Sequence, residues 1–238
     1  TGGNLPEREA LPPSAGELYI SEVYPDPGCT TEKDYEWFEL VNDTDRELDL
    51  IGLGIYVKAT DEAPKYSFLD TDRHCFNLGA GQRVVIAANA NPELNGGIPA
   101  DFSYLGKVTL RNDNGYLALR LPDRVTVIDE AAWEDSTANH SLELSPSVLC
   151  SSAAANSDGH CWHSSPVPQA EVCGAQTYHT AGEANEQENA CYCQEGGGWF
   201  RIPDRLDPDA SWLEVTEILA NAPGSESDFW AMEWVEVH

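Results

Sequence analysis

Three glutamates, Glu22, Glu36 and Glu39, are echoed late in the chain by Glu217, Glu233 and Glu236. Paired carboxylates at fixed spacing can do general acid–base work, one giving a proton while the other takes one. The competing reading is architectural, because a fold element that repeats within a chain is more often scaffold than machinery. On that reading the glutamates lie on the solvent face or at the strand ends of an acidic β-protein, and Glu39→Gln costs little. The architectural reading is the one the pattern favours.

Other clusters offer weaker chemistry. His160, Cys161 and His163 flank Trp162 and could supply two nitrogens and a sulfur to a metal. The alternative, a Cys150–Cys161 disulfide beside a packed tryptophan, is preferred because no matching Cys/His cluster occurs elsewhere. Cys191 and Cys193 are separated by one residue, a spacing that strains a mutual bond, so each is expected to bridge elsewhere. The acidic loops at 24–34 and 70–73 lack the spacing of a dedicated calcium loop; calcium is the one ion left open, and no other cofactor is implied. The seven tryptophans, Trp37, Trp133, Trp162, Trp199, Trp212, Trp230 and Trp234, invite glycan stacking. Trp37 and Trp133 are read as core, and Trp199 and Trp230 are left open. There is no Gly-x-Ser-x-Gly elbow, no phosphate-binding glycine loop and no His-Glu-x-x-His.

The elements that position these residues are strands. Residues 35–42 (YEWFELVN) return as 232–238 (MEWVEVH), and 18–23 (LYISEV) return as 213–218 (LEVTEI), each time with a Pro-Gly turn between them. This is an internal repeat. Alternation puts Phe38 and Leu40 on one side of a strand and Trp37 and Glu39 on the other. Leu18 and Ile20 share a face, and Val23 breaks the parity, which predicts a bulge near Ser21-Glu22. Further strands are expected at 48–57, bent at Gly52 and Gly54, and at 66–69, 83–88, 107–110, 116–121, 125–128 and 142–144, with a hairpin turn at 112–115. No stretch has a helical period with caps. Many short strands between turn signals indicate an all-β antiparallel sandwich.

The 238 residues carry a net charge of −28, from 41 acidic and 13 basic side chains. Nucleic acid and anionic membrane surfaces are poor partners for such a chain. Solubility through self-repulsion is the plain reading of the charge, and cation binding or a salty medium the sharper ones. No apolar run is long enough to span a bilayer. Thr1 is expected to be a mature start, with any export signal upstream. The cysteines Cys29, Cys75, Cys150, Cys161, Cys173, Cys191 and Cys193 form no Cys-x2-Cys pair, and their scatter through loops fits disulfides in an exported protein. Local loop context predicts Cys29–Cys75, Cys150–Cys161, and Cys173 with Cys191 or Cys193, leaving one thiol free.

The organisation read from these signals is a flexible leader at 1–16 and a sandwich at 17–187, with a cysteine-bearing insertion at 145–178. A linker follows at 188–211, then the first two strands of a second sandwich at 212–238. A lone strand pair is marginal in water. Trp212, Leu213, Val215, Ile218, Trp234, Val235 and Val237 are therefore expected to form an interface, and strand addition to a neighbouring chain is preferred over docking within the chain.

The ordered motifs resemble the lamin-tail domain family. LYISEV and EWFELVN resemble its "I-x-E-V … E-W-x-E-L-x-N" opening, LDLIGLGIYV its "D-L-x-G-W-x-L" strand, and LGAGQRVVIA its "L-x-P-G-x-x-L-V-L". Residues 108–133 resemble its paired final hairpins, 140–144 its "S-L-E-R" strand, and HTAGEAN at 179–185 its closing "T-P-G-x-x-N", with Ala181 in the place of Pro. The resemblance covers about residues 16–185. It implies an immunoglobulin-like sandwich. It also implies the exported, multidomain surface proteins in which bacterial members occur, sometimes beside nuclease or phosphatase modules; no lamin-like rod is present. The function expected is that of a non-catalytic structural or adhesion module. The alternative is a glycan- or calcium-binding accessory domain of a secreted enzyme.

Overall fold

Alternating apolar residues decide the architecture, because each strand must bury one side against a second layer. The computed structural model describes residues 10–30, 32–58, 65–69, 76–104, 107–146, 150, 152, 156, 161–186, 192–195, 198–201, 215–219 and 234–237. The strands in chain order are β1 (Leu18–Tyr24), β2 (Trp37–Asn42), β3 (Leu48–Asp49), β4 (Gly54–Val57), β5 (Lys65–Phe68), β6 (Asn77–Leu78), β7 (Arg83–Ala87), β8 (Phe102–Ser103) and β9 (Asp113–Arg120). They continue with β10 (Val127–Asp135), β11 (Leu142–Leu144), β12 (Trp162–Ser164), β13 (Pro168–Val172), β14 (Ala175–Tyr178), β15 (Tyr192–Glu195), β16 (Gly198–Arg201), β17 (Val215–Leu219) and β18 (Trp234–Val237). No helix among the described residues is long and apolar enough to cross a membrane.

The chain divides into two units, Thr1–Tyr192 and Cys193–His238. The first is a sandwich. One sheet runs β12-β11-β1-β2-β7-β8 and the facing sheet runs β10-β9-β4-β5. All pairings within these two sheets are antiparallel except β7 with β8. The core between them is built from Leu18, Ile20, Val23, Phe38, Leu40, Val84 and Ile86 on one side. Ile55, Val57, Leu117, Leu119, Ile128 and Trp133 supply the other. The expected faces of β1, β2 and β4 are those observed, and Trp37 and Trp133 are buried. The β1–β2 register shifts between Ile20 and Glu22, the bulge that the parity break predicts. After it, Val23 points inward again and pairs with Phe38.

Several expectations give way. Residues 48–57 are two strands, not one, broken where Gly52 takes a φ of +76° that favours glycine. Residues 107–110 are not a strand: Leu110 donates its N–H to the buried Glu36 carboxylate at 2.8 Å instead of to a ladder. Residues 112–115 do not turn, because β9 already begins at Asp113, and the Gly115 position lies under the Trp133 indole. Residues 145–178 contain β12, which extends the first sheet, and the β13–β14 hairpin.

The disulfides are Cys150–Cys161, as local spacing predicts, and Cys29–Cys173. The second replaces both expected pairings of Cys29 with Cys75 and of Cys173 with Cys191 or Cys193. The bond joins positions 144 residues apart, a separation at which chain distance gives no hint of proximity. Cys75 and Cys191 lie outside the described residues.

In the second unit β17 pairs with β18 in the register Val215↔Val237, Glu217↔Glu236, Ile218↔Val235, Leu219↔Trp234. This copies Ile20↔Leu40, Glu22↔Glu39, Val23↔Phe38, Tyr24↔Trp37 of the first unit, including the bulge one residue before the glutamate. Trp212, Leu213, Trp230 and Glu233 lie outside the described residues. Trp199 falls in β16, which pairs with β15.

Candidate functional site: a buried row of glutamates

The face of the first sheet that turns away from the core holds the only strongly perturbed acid cluster found among the described residues. Register builds it. Glu22 stands opposite Glu39 on one side and opposite Glu143 on the other, and Glu143 stands opposite His163. One transverse row therefore reads His163, Glu143, Glu22, Glu39 across four strands. Like charges directly opposite in a sheet repel. The row is tolerable only if protons, cations and donors intervene.

All three glutamates are fully buried, which overturns the expectation that Glu22 and Glu39 face solvent. Alternation does put them opposite the core. What it cannot show is that residues 165–186 return across that face and seal it. Thr180 donates its N–H to Glu22 Oε1 at 2.9 Å, and its Oγ1 lies 3.0 Å from Glu22 Oε2 and 2.7 Å from Glu143 Oε2. Gly182 donates its N–H to Glu39 Oε2 at 2.9 Å. The Asn185 amide donates to the carbonyls of Ser21 and Leu144, both at 2.8 Å. Beside this, His179 packs edge-on against Trp37, with Ala181 buried in the same small cluster.

The sheet supplies the remaining donors. Ser21, displaced by the bulge, donates its hydroxyl to Glu39 Oε1 at 2.6 Å, and Arg83 reaches the same oxygen at 2.7 Å. Ser141 donates to Glu22 Oε1 at 2.5 Å. His163 Nε2 lies 3.1 Å from the Glu186 carbonyl and 3.2 Å from Glu143 Oε1. The carbonyl takes the hydrogen bond, and Glu143 Oε1 is left without one.

The Thr180 hydroxyl has one hydrogen and touches two carboxyl groups. One contact must therefore be a carboxyl O–H donating to Thr180 Oγ1. Glu22 is the protonated partner: burial first, then the charges of Glu39 and Glu143, push its pKa well above the usual carboxylate range. Its Oε1 already accepts two donors, which places the proton on Oε2. The chain Glu22 Oε2–H to Thr180 Oγ1–H to Glu143 Oε2 then links the three groups, while Glu143 Oε1 has no hydrogen-bond partner. Glu39 is also raised, by burial, although Arg83 opposes the shift. His179 is lowered to about 4 by burial and is neutral.

Glu36, the third glutamate of the sequence pattern, sits apart and holds Leu110 through its N–H and Tyr104 through its hydroxyl. Serving the same purpose elsewhere, Asp129 accepts from Ile20 N–H at 2.7 Å and from the Asn156 amide, and burial raises it to about 7. A cleft of about 200 Å³ lined by Tyr19, Ser21, Arg83, Leu144, Pro146 and Asn185 approaches the row, but none of the three glutamates lines it. Glu143, Thr180 and Asp129 carry weight that sequence reasoning missed. The available signals were the family-like runs at 140–144, which holds Glu143, and at 179–185, which holds Thr180.

The Lamin Tail Domain family model matches residues 12–135, just over half of the chain. The chain belongs to the lamin-tail domain family. The match spans β1 to β10; β11 to β14 and the segment that closes the glutamate row follow it. No curated protein matches this chain.

The remaining expected sites fall as follows. Cys161 is in a disulfide, His163 faces Glu143, and His160 lies outside the described residues. No group of three His, Cys, Asp or Glu suited to a metal occurs among the described residues. In the 24–34 loop Asp26 caps Gly28 N–H at 3.1 Å, and 70–73 lies outside the described residues. Of the expected interface residues, Val215, Ile218, Trp234, Val235 and Val237 fall in β17 and β18 and Trp212 and Leu213 are not described.

Proposed function

We propose that this lamin-tail sandwich is a non-catalytic structural module of an exported surface protein, used in tandem for adhesion or assembly. The observation that carries this reading is the sealed glutamate row. Carboxylates that would have to meet a substrate are instead consumed in holding Thr180 and Gly182 to the sheet. A general acid or base must reach its proton in a bound substrate, and every oxygen contact of Glu22 and Glu39 is to the chain itself. Two disulfides suit an oxidising compartment. The copied register of β17 and β18 supports a second sandwich of the same kind. Its partner is another protein, joined by strand addition along that pair. No cofactor is needed, and a charge of −28 disfavours nucleic acid.

The test is sedimentation of the full chain over a wide concentration range, beside a Val215→Asp, Val235→Asp variant. Concentration-dependent assembly that the variant loses, with the first unit's melting transition kept, supports the reading. A chain monomeric at every concentration removes strand addition. Hydrolysis of a glycoside, ester or phosphodiester that Glu39→Gln abolishes overturns the non-catalytic assignment.

A further inference from the structure

The outer face of the second sheet carries a feature that a structural module does not require. Leu117 and Leu119 point into the core, so Tyr116, Ala118 and Arg120 of β9 point out. Tyr56 of β4 and Tyr66 and Phe68 of β5 join them as a ladder of rings. Tyr56 meets Tyr66 at 4.8 Å and Tyr116 at 5.9 Å between centroids, and Tyr66 stacks on Phe68 at 6.5 Å. Two guanidinium groups lie over this ladder: Arg120 is 4.2 Å from the Tyr56 centroid, and Arg124 is 5.1 Å from Phe68 and 5.7 Å from Tyr66.

Four basic side chains, Lys58, Lys65, Arg120 and Arg124, gather here in a chain whose acidic residues outnumber basic ones 41 to 13, and among the described residues none of the four makes an ion pair. Arg120 touches only neutral oxygens: its Nη1 donates to the Tyr66 hydroxyl at 3.3 Å and to the Arg124 carbonyl at 3.1 Å. Its Nε is buried without an acceptor. A guanidinium normally finds a carboxylate when so many are available. Beside it opens a cleft of about 480 Å³ lined by Tyr56, Lys58, Asn114, Tyr116, Arg120 and Trp133.

We propose that this face binds a short uronate oligosaccharide, carrying no more than one carboxylate per sugar. The cations hold its carboxylate, and the rings take the apolar faces of its sugars. On the β10 side, Glu130 accepts from the Tyr116 hydroxyl at 2.5 Å and is exposed, as is Asn114. Sugar hydroxyls, which donate and accept, match that mixed wall; a peptide of acidic residues would be repelled by Glu130. The overall negative charge excludes densely charged polymers such as sulfated glycans. The site is independent of the glutamate row and of any assembly through β17 and β18.

The experiment is an NMR titration of the full chain with trigalacturonate, with neutral galactotriose and with a hexaglutamate peptide. The readouts are amide shifts and dissociation constants. Trigalacturonate should bind with shifts confined to β4, β5, β9, β10 and the 120–124 turn, about tenfold tighter than galactotriose, and the affinity should fall as salt rises. Lys58→Ala with Arg124→Ala, both exposed, should weaken binding by about tenfold or more without moving the melting temperature. No saturable shift with trigalacturonate, equal binding of galactotriose, tighter binding of hexaglutamate, or an unaffected double variant would each overturn the proposal.

Discussion

Replacing Thr180 by valine keeps the shape of the side chain and removes the hydroxyl that joins two buried carboxyl groups. In the native protein Thr180 Oγ1 lies 2.7 Å from Glu143 Oε2 and 3.0 Å from Glu22 Oε2. Valine leaves the Thr180 N–H bond to Glu22 Oε1 intact, so the segment stays anchored at one point. Glu143 loses its donor on Oε2, while its other oxygen, 3.2 Å from His163 Nε2, has no hydrogen bond to fall back on. A hydrogen bond to a charged group contributes about 1.5–3 kcal/mol, and an unsatisfied buried polar group costs a similar amount. The expected loss is about 3 kcal/mol, lowering the melting temperature by roughly 6–12 °C for a chain of this size. Urea denaturation and calorimetry on the full chain give the two numbers. Thr180→Ser, which keeps the hydroxyl, should lose less than about 1 kcal/mol. A Thr180→Val protein within about 0.5 kcal/mol of the parent would refute the reasoning, since the hydroxyl would then be dispensable to the closure.

Other expectations follow from the same coordinates. Glu22, Glu39 and Asp129 all have raised values in the folded state, so the folded protein binds more protons than the unfolded chain. Their contribution is fully present below the unfolded pKa and is lost as pH rises through the folded one. His179, lowered to about 4, acts oppositely, and its contribution is lost as pH falls from about 6.5 towards that value. His179 offsets much of the effect below about pH 6.5, so stability should decline most plainly as pH rises from about 6.5 to about 8, which melts across that range would check. Asp129→Asn keeps an acceptor for Ile20 N–H and removes the titration; with a folded value of about 7, the parent should lose about 3 kcal/mol relative to the variant between about pH 5 and pH 8. An unchanged slope would mean that Asp129 does not titrate in this window. Gly115→Ala puts a Cβ 2.0 Å from a Trp133 ring carbon, and a cost of about 3 kcal/mol or more is expected in urea melts. Cys29→Ser with Cys173→Ser should cost about 2–5 kcal/mol; non-reducing peptide mapping of the parent should first recover the Cys29–Cys173 pair.

Local pattern made much of the sandwich legible. Val23 out of step with Leu18 and Ile20 was enough to locate the bulge, and the run at residues 142–144 marked β11 with its observed bounds. Cys150 and Cys161, eleven residues apart, were close enough for loop context to pair them. What failed was what depends on distant segments. Alternation gives the side of the sheet that Glu39 takes, but a side becomes interior only when another part of the chain covers it. The cover comes from Gly182, 143 residues away, in a stretch with no apolar period. The same limit hid the Cys29–Cys173 bond. Leu110 misled for a related reason: its backbone is held by a side chain, Glu36, not by a neighbouring strand.

The most direct measurement is an NMR titration of the Glu22 side-chain carboxyl carbon in the full chain. If Thr180–Asn185 seals the row, Glu22 should titrate well above the ordinary glutamate value and shift together with the Thr180 amide that donates to it. A midpoint at about 4.3, the value of a solvated glutamate, with a Thr180 amide indifferent to it, would contradict a closed, load-sharing row and return Glu22 to the solvent face.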